Sequence, residues 1–433
     1  MEENLTMKTE FKSDMNVDAG EVLEFAAELG HLMLENGAEI FRVEETMERI
    51  STYYGVEKTD FFVLSNGIFA TGRSFAKVMF IPFKGTQLRR VVEASQLSRD
   101  IESGKYSLEQ AKSKLAEIRN MKLEPAWIQV LASCIGSGCF GAIFGGSRMD
   151  CVAAAVVGLL LWIFVIAVGK ANFSKIFTNA CGGAFATLLC IIFHRIGFGD
   201  SLGHIMVGAL IPLVPGVPFT NGIKDIANED YLAGATRLLD ALMVFFYIAM
   251  GVSITLLGYS HIYSGIGDVW KDYLVVDFDV LTQSFVAQFI MAFFGTAAFA
   301  ILFGVQRNAL LQCGICGMAG WIVYLALARY ASFSPAEATI FGTILVAVIS
   351  RFMAVLYTCP TTVFLITGIF PMVPGGGIYW TIYNVVSSHF RDALSSGATA
   401  IMVTVAIVFG IVLVNEIPQR FFKINRRALS SQQ

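Results

Sequence analysis

Charge is what this chain has least of. Its 433 residues carry 31 Lys and Arg and 34 Asp and Glu, 15% of the total against 55% hydrophobic residues. Too little polarity for a disordered chain and a net charge of −3, with no basic field for phosphates, exclude disorder and a nucleic-acid partner. No Gly-x-x-x-x-Gly-Lys-Ser/Thr run occurs, so ATP-driven pumping has no phosphate cradle. The first 20 residues lack an apolar core, which predicts no cleavable signal peptide and no export of the soluble part. The eight cysteines (Cys134, Cys139, Cys151, Cys181, Cys190, Cys313, Cys316 and Cys359) all fall in the apolar part, where the residue acts as a small buried hydrophobe. Cys313 and Cys316 have C-x-x-C spacing but no second ligand pair, so neither a disulfide framework, a metal site nor a cofactor is expected.

What charge there is lies unevenly: 37 of the 65 charged side chains stand in residues 1–125. From Trp127 onward, apolar stretches of roughly 17–25 residues alternate with short polar breaks, the length a helix needs to cross a hydrocarbon core. The expected crossings are 127–147, 151–169, 176–194, 202–217, 234–257, 282–304, 309–328, 335–356, 360–376 and 393–415. The fold class is therefore a polytopic α-helical membrane protein of ten transmembrane helices, preceded by a small α+β cytoplasmic domain. The expected segments are a disordered tail (1–17), the α+β domain (18–125), five helices (126–260), an acidic outer loop (261–280), five more helices (281–416) and a basic tail (417–433).

In the soluble part, Val22, Phe25, Ala26 and Leu29 make one helical stripe, continued by Phe41, Val43, Met47 and Ile50 after a break at Asn36-Gly37. The runs Asp60–Leu64, Ile68–Thr71 and Ala76–Pro82 read as a small meander. Helices over Gly85–Ser103 and Ser107–Lys122 follow, the second opened by Ser107 and Gln110 at capping-box spacing. His31, Glu35, Glu39, Arg42, Glu44 and Glu45 crowd the first two helices, and are expected to form a solvated charged face with pairs such as Glu45–Arg49.

Sliding the second half of the apolar part on the first at an offset of 159 aligns Gly136 with Gly295, Phe140 with Phe299, Arg148 with Arg307 and Trp162 with Trp321. It also aligns Pro212-Leu-Val-Pro-Gly216 with Pro371-Met-Val-Pro-Gly375. Five crossings per copy is an odd number, so the second copy starts on the opposite side: the repeats are inverted, as in secondary transporters that expose a central site alternately. Ten basic residues on one side against five on the other, among them Arg420, Lys423, Arg426 and Arg427 in the tail, place both termini in the cytoplasm. Gly136-Ser-Gly138-Cys-Phe-Gly141 mimics a dinucleotide fingerprint, but without a preceding strand it reads as small-residue helix packing.

Both copies break in their fourth span, at Pro215-Gly216 and at Pro374-Gly375-Gly376. Broken helices are tolerated in a bilayer only where protein, water or ligand answers the freed backbone groups, and a half-helix N-terminus suits a carboxylate. Thr220, Asn221, Lys224 and Asp225 follow the first break; Tyr379 and Asn384 follow the second. Asp225, beside a broken helix, and His204, at the start of the fourth span, are the candidate proton carriers. Arg237 and Asp240 open the fifth span at i,i+3 spacing, placed to pair with each other or with Asp225, and with Lys224 they complete a supporting set.

The run Gly30-His-Leu-Met-Leu-Glu-Asn-Gly-Ala-Glu-Ile-Phe-Arg-Val-Glu-Glu-Thr-Met-Glu-Arg-Ile50, with Leu210-Ile-Pro-Leu-Val-Pro-Gly-Val-Pro-Phe-Thr-Asn-Gly-Ile-Lys-Asp225, resembles the threonine/serine exporter family over nearly the whole chain. The resemblance implies a cytoplasmic domain ahead of ten helices in a bacterial cytoplasmic membrane, and export of small hydroxy amino acids driven by the proton motive force. The two halves look like the two chains of split members, some of which are associated with succinate. A proton-coupled threonine and serine exporter is thus expected, with the bilayer, protons and the small-molecule substrate as partners and a homo-oligomer compatible. A dicarboxylate exporter on the same scaffold is the alternative, and a membrane-anchored enzyme using His31 the less favoured one.

Overall fold

Apolar stripes on polar helices decide the first part of the chain. The computed structural model describes residues 18–56, 59–72, 75–82, 85–171, 173–262, 284–386 and 389–422. The expected N-terminal tail, most of the acidic outer loop and most of the basic C-terminal tail lie outside them. Helix α1 (Ala19–Glu35) is capped by the Asp18 carboxylate, which accepts from the N–H of Gly20 at 3.2 Å, and buries Val22, Phe25, Ala26 and Leu29. Gly37, at φ 90°, supplies the left-handed residue that turns the chain into α2 (Ile40–Tyr53). The strands β1 (Asp60–Leu64), β2 (Gly67–Gly72) and β3 (Phe75–Phe80) form an antiparallel sheet in sequence order, with Val63 opposite Ile68 and Ile68 opposite Met79. Val63, Ile68 and Ala70 face the core, while Phe62, Phe69, Val78 and Phe80 are exposed. Helices α3 (Leu88–Glu102) and α4 (Leu108–Arg119) complete this part, and Ser107 and Gln110 form the capping box at the start of α4.

The remaining helices are α5 (Ala126–Ile143), α6 (Arg148–Lys170), α7 (Lys175–Arg195), α8 (Leu202–Leu210), α9 (Gly216–Ala227) and α10 (Tyr231–Ile262). After them come α11 (Phe285–Leu302), α12 (Leu310–Tyr330), α13 (Pro335–Tyr357), α14 (Thr362–Ile369), α15 (Gly375–Val386) and α16 (Phe390–Asn415). Among the described residues, eight helices are long and apolar enough to cross a bilayer: α5, α6, α7, α10, α11, α12 (with the preceding turn), α13 and α16. The expected fourth span differs from a straight crossing. Its two arms, Leu202–Leu213 and Gly216–Ala227, meet at 66°, and its equivalent in the second half starts with a short apolar helix, Thr362–Met372. The chain is a mostly helical, polytopic membrane protein.

The structure divides into two compact units, and the division is not where the chain first turns apolar. One unit takes the residues up to Leu123 together with Lys224–Arg237; the other takes Glu124–Ile223 and the chain from Leu238. The last turn of α9 and the first two turns of α10 thus fold as part of the first unit, where Ala233 joins the core of α1 to α4 and the sheet.

In the second unit, element limits recur at the 159-residue offset. Ala126–Ile143 corresponds to Phe285–Leu302, and the single turns Ile211–Leu213 and Phe370–Met372 correspond in the same way. So do Gly216–Ala227 and Gly375–Val386. Helices α5 and α11 pack reciprocally. A Cβ on Gly136 would strike Phe299 and one on Gly295 would meet Phe140, and the two rings sit edge to face at 5.1 Å. The two helices run antiparallel, because Gln288 at the start of α11 donates to the carbonyl of Ala142 at the end of α5 (3.1 Å). Indole–amide bonds also recur, Trp162 to Gln129 (3.3 Å) and Trp321 to Gln288 (2.9 Å).

Candidate functional site

Each break follows from its proline. Pro215 and Pro374 have no N–H, so the ladder stops. Val214 and Val373 are extended (ψ 126° and 131°), and new helices start at Gly216 and Gly375, whose N–H groups reach back to the valine carbonyls at 2.8 and 2.7 Å. Inside the second unit the two breaks face each other. A cavity of about 30 Å3 between them is lined by Val207, Leu210, Ile211, Val214, Phe245, Ile248, Gly375 and Gly376. That is room for a water or two, and its side chains are all apolar. A Cβ on Gly376 would meet nothing, whereas one on Gly216 would lie 2.4 Å from the Phe370 ring. The polar groups available are therefore the backbone N–H groups at the starts of α9 and α15.

The residues expected beside the breaks divide into two groups. Thr220 and Asn221 are buried on α9, the Thr220 hydroxyl donating to the Gly216 carbonyl at 2.8 Å. Asn384 is half-buried on α15, which also carries Tyr379. His204 stands in the first turn of α8, with its Nε2 buried and unpaired among the described residues.

Lys224, Asp225 and Arg237 belong instead to the first unit, each held by a protein group. The Asp225 carboxylate accepts from Arg237 (2.8 Å) and from the N–H of Ile40 (3.3 Å), the first residue of α2. Arg237 also donates to the carbonyl of Ala38 (2.8 Å), and Thr236 reaches Ser65 (2.9 Å). The Lys224 ammonium bonds Glu39 and lies 5.9 Å from the centre of the Phe41 ring, while the other Glu39 oxygen takes Arg42 at 2.8 Å. Glu39 and Asp225 are both 0% exposed.

Two expectations are corrected by this geometry. The charged group on the first two helices is a solvated face only in part: Glu45 is exposed and pairs with Arg49 (2.6 Å) as expected, whereas Glu35 and Glu39 are buried, Glu39 against Lys224 of the α9–α10 segment. Glu44 is half-buried as well. It accepts from the N–H of Val63 (3.0 Å), and burial raises its pKa above the usual carboxylate range, partly offset by that N–H. Of the two pairings open to Arg237, the structure shows the one with Asp225, while Asp240 is exposed. Lys224 and Asp225 do not stand free for a substrate's amine and carboxylate, since each charge already has its counter-charge. Glu39, expected on the solvated face, is the residue whose partner sequence reasoning missed. Its signal was a charged residue where α2 begins and where a Ser, Thr or Asp cap would be usual.

Comparison with known proteins settles the kinship. The family described as "Putative threonine/serine exporter" matches residues 24–257, and that described as "Threonine/Serine exporter, ThrE" matches 288–417. The chain belongs to the threonine/serine exporter family. It is 21% identical over 418 residues to a threonine/serine exporter of Corynebacterium glutamicum, covering 92% of this chain and 83% of that one. It is 21% identical over 404 residues to a "Probable threonine/serine exporter" of Mycobacterium tuberculosis (90% and 75%). A "Probable succinate transporter subunit" of Klebsiella aerogenes is 22% identical over 227 residues, which is 51% of this chain and 87% of that subunit. No solved structure matches. Family membership makes this exporter a membrane-embedded transporter of small molecules.

Proposed function

We propose that this exporter moves threonine and serine out of the cell across the bacterial cytoplasmic membrane, in exchange for protons, by alternating access of two inverted five-span repeats. The observation that carries the reading is the pair of equivalent breaks facing each other in one unit. The antiparallel course of α5 and α11 supports the inversion, since equivalent helices of inverted copies run oppositely. When the cavity opens, the N–H groups at Gly216, Gly375 and Gly376 hold the substrate carboxylate, those of Gly216 and Gly375 turning away from the valine carbonyls they meet here, with Pro215 and Pro374 keeping the two helices broken. Thr220, Asn221, Tyr379 and Asn384 supply hydrogen-bond partners for its amine and hydroxyl. Of the two proton candidates we favour His204, whose Nε2 has no partner among the described residues, over Asp225, which Arg237 and Ile40 hold. Lys224, Arg237 and Asp240 are supporting groups outside the substrate site. Ten basic residues in the loops and tail of one side against five on the other support a cytoplasmic location for both termini.

Counterflow in proteoliposomes tests the proposal, with labelled threonine outside and unlabelled threonine, serine or succinate inside. Threonine–serine exchange that responds to a pH gradient is expected. Exchange with succinate alone would move the substrate to the dicarboxylates, and no exchange with any of them would overturn the reading.

A further inference from the structure

The α9–α10 corner is covalently the end of a broken helix, yet it folds into the core of the first unit. Four separate grips hold it there: Lys224 on Glu39, Asp225 on the N–H of Ile40, Arg237 on the carbonyl of Ala38, and Thr236 on Ser65. The first three converge on residues 38–40, where α2 begins. Helix α9 is only 12 residues long, about 18 Å at 1.5 Å per residue. Its first residue is Gly216 of the break and its last turn carries Lys224 and Asp225. A rigid rod of that length transmits an axial shift at one end to the other.

We propose that Glu39 is a positioning residue for transport. Together with the start of α2 it forms a socket that clamps the C-terminal turn of α9, and thereby fixes the Pro215-Gly216 break at that helix's other end. Glu39 does not touch the substrate. It acts through Lys224, while Arg42 on its second oxygen keeps the carboxylate aimed. The corner Asn228–Asp230, with Glu229 at φ 69°, is what lets α9 and α10 enter the same socket side by side. In this arrangement the soluble domain is a working part of the transporter. Its contribution is to the rate of the conformational change more than to substrate affinity.

The inference rests on the transport reading, so its test has one readout that needs transport and one that does not. In the full chain in liposomes, Glu39→Gln is expected to lower the maximal threonine exchange rate about tenfold with the half-saturating concentration within twofold of wild type. Limited trypsin digestion should cleave after Lys224 at least five times faster than in wild type. The Glu39→Gln/Lys224→Met chain removes the buried ammonium that Glu39→Gln alone leaves without its counter-charge, and Arg42, the other partner of Glu39, keeps some access to solvent. It should regain wild-type thermal stability while exchange stays slow; recovery of the wild-type exchange rate would show that only charge balance mattered and overturn the proposal. Should that double variant fail to fold, Glu39→Asp keeps the charge and shortens the reach, and a severalfold lower maximal rate is expected. A wild-type rate there would overturn the proposal. Unchanged tryptic cleavage in Glu39→Gln would overturn it too, even if wild type exchanged no substrate at all and only the transport reading had failed.

Discussion

Gly216→Ala should destabilise the exporter where the equivalent Gly375→Ala does not. The added methyl on Gly216 would sit 2.4 Å from Cε2 and 2.7 Å from Cδ2 of Phe370, about 1 Å inside ordinary contact. Phe370 has little room to yield, because its ring lies 4.6 Å from that of Phe299 and 5.4 Å from those of Phe140 and Phe303. Overpacking of this kind costs about 1–3 kcal/mol. If that cost falls on the arrangement that transports, the rate drops by roughly 5- to 150-fold. On Gly375 the methyl would meet Val214 at 3.4 Å and Phe245 at 3.9 Å, which is ordinary packing, and a change within about 0.5 kcal/mol is expected. The assay is the initial rate of threonine counterflow together with the thermal midpoint of the purified full chain in detergent. Shrinking the obstacle in Gly216→Ala/Phe370→Leu should restore most of the lost rate. Equal thermal midpoints of the two alanine variants, or a Gly216→Ala protein as fast and as stable as wild type, would refute the packing argument.

Gly251→Ala should be worse still, because its methyl would lie 1.9 Å from the Ala180 carbonyl oxygen. Backbone cannot rotate away, so a cost at or above about 3 kcal/mol should appear as loss of monodisperse protein on size exclusion. Gln288→Leu should cost about 1–3 kcal/mol by orphaning the buried Trp321 N–H, and a thermal shift larger than that of Gln129→Leu, whose site is more open, checks it. For Glu44 the folded-state pKa is raised, so the folded chain binds the proton more tightly. Stability linked to this group is therefore greatest below the unfolded value near 4.5 and is lost as pH rises through the folded pKa. Glu44→Gln, which keeps an acceptor for Val63, should flatten that part of the pH–stability profile and leave neutral-pH stability equal or higher; a steeper profile would count against it. His204→Gln should remove the response of threonine exchange to a pH gradient while Asp225→Asn, assayed in the same liposomes, slows exchange without removing that response. The reverse pattern would return the proton to Asp225.

Local chemistry was legible because it needs few neighbours. The turn at Asn36-Gly37, the strand Asp60–Leu64 and the Ser107–Gln110 capping box each depend on residues within a few positions of one another, and each stands where its residues imply. The two breaks were legible for the same reason, since a proline removes its own N–H whatever surrounds it. The charged residues were not. Glu39 and Glu45 look alike in sequence, six positions apart on one helix turn pattern, yet Glu39 is fully buried against Lys224 and Glu45 stays exposed beside Arg49. What separates them is a segment 185 residues further on.

The sequence by itself determined where helices can cross a membrane, where they must break, and that one half echoes the other. Hydrophobic length, proline chemistry and a repeated register are properties of the chain alone. Only the tertiary structure decided which charges meet. A buried carboxylate takes whatever counter-charge or N–H the fold delivers to it, and burial itself exists only once distant segments have packed. It assigned Arg237 to Asp225, Lys224 to Glu39 and the corner of α9 and α10 to the first unit. It also placed the two prolyl breaks across a single apolar cavity, a meeting that no spacing along the chain could announce.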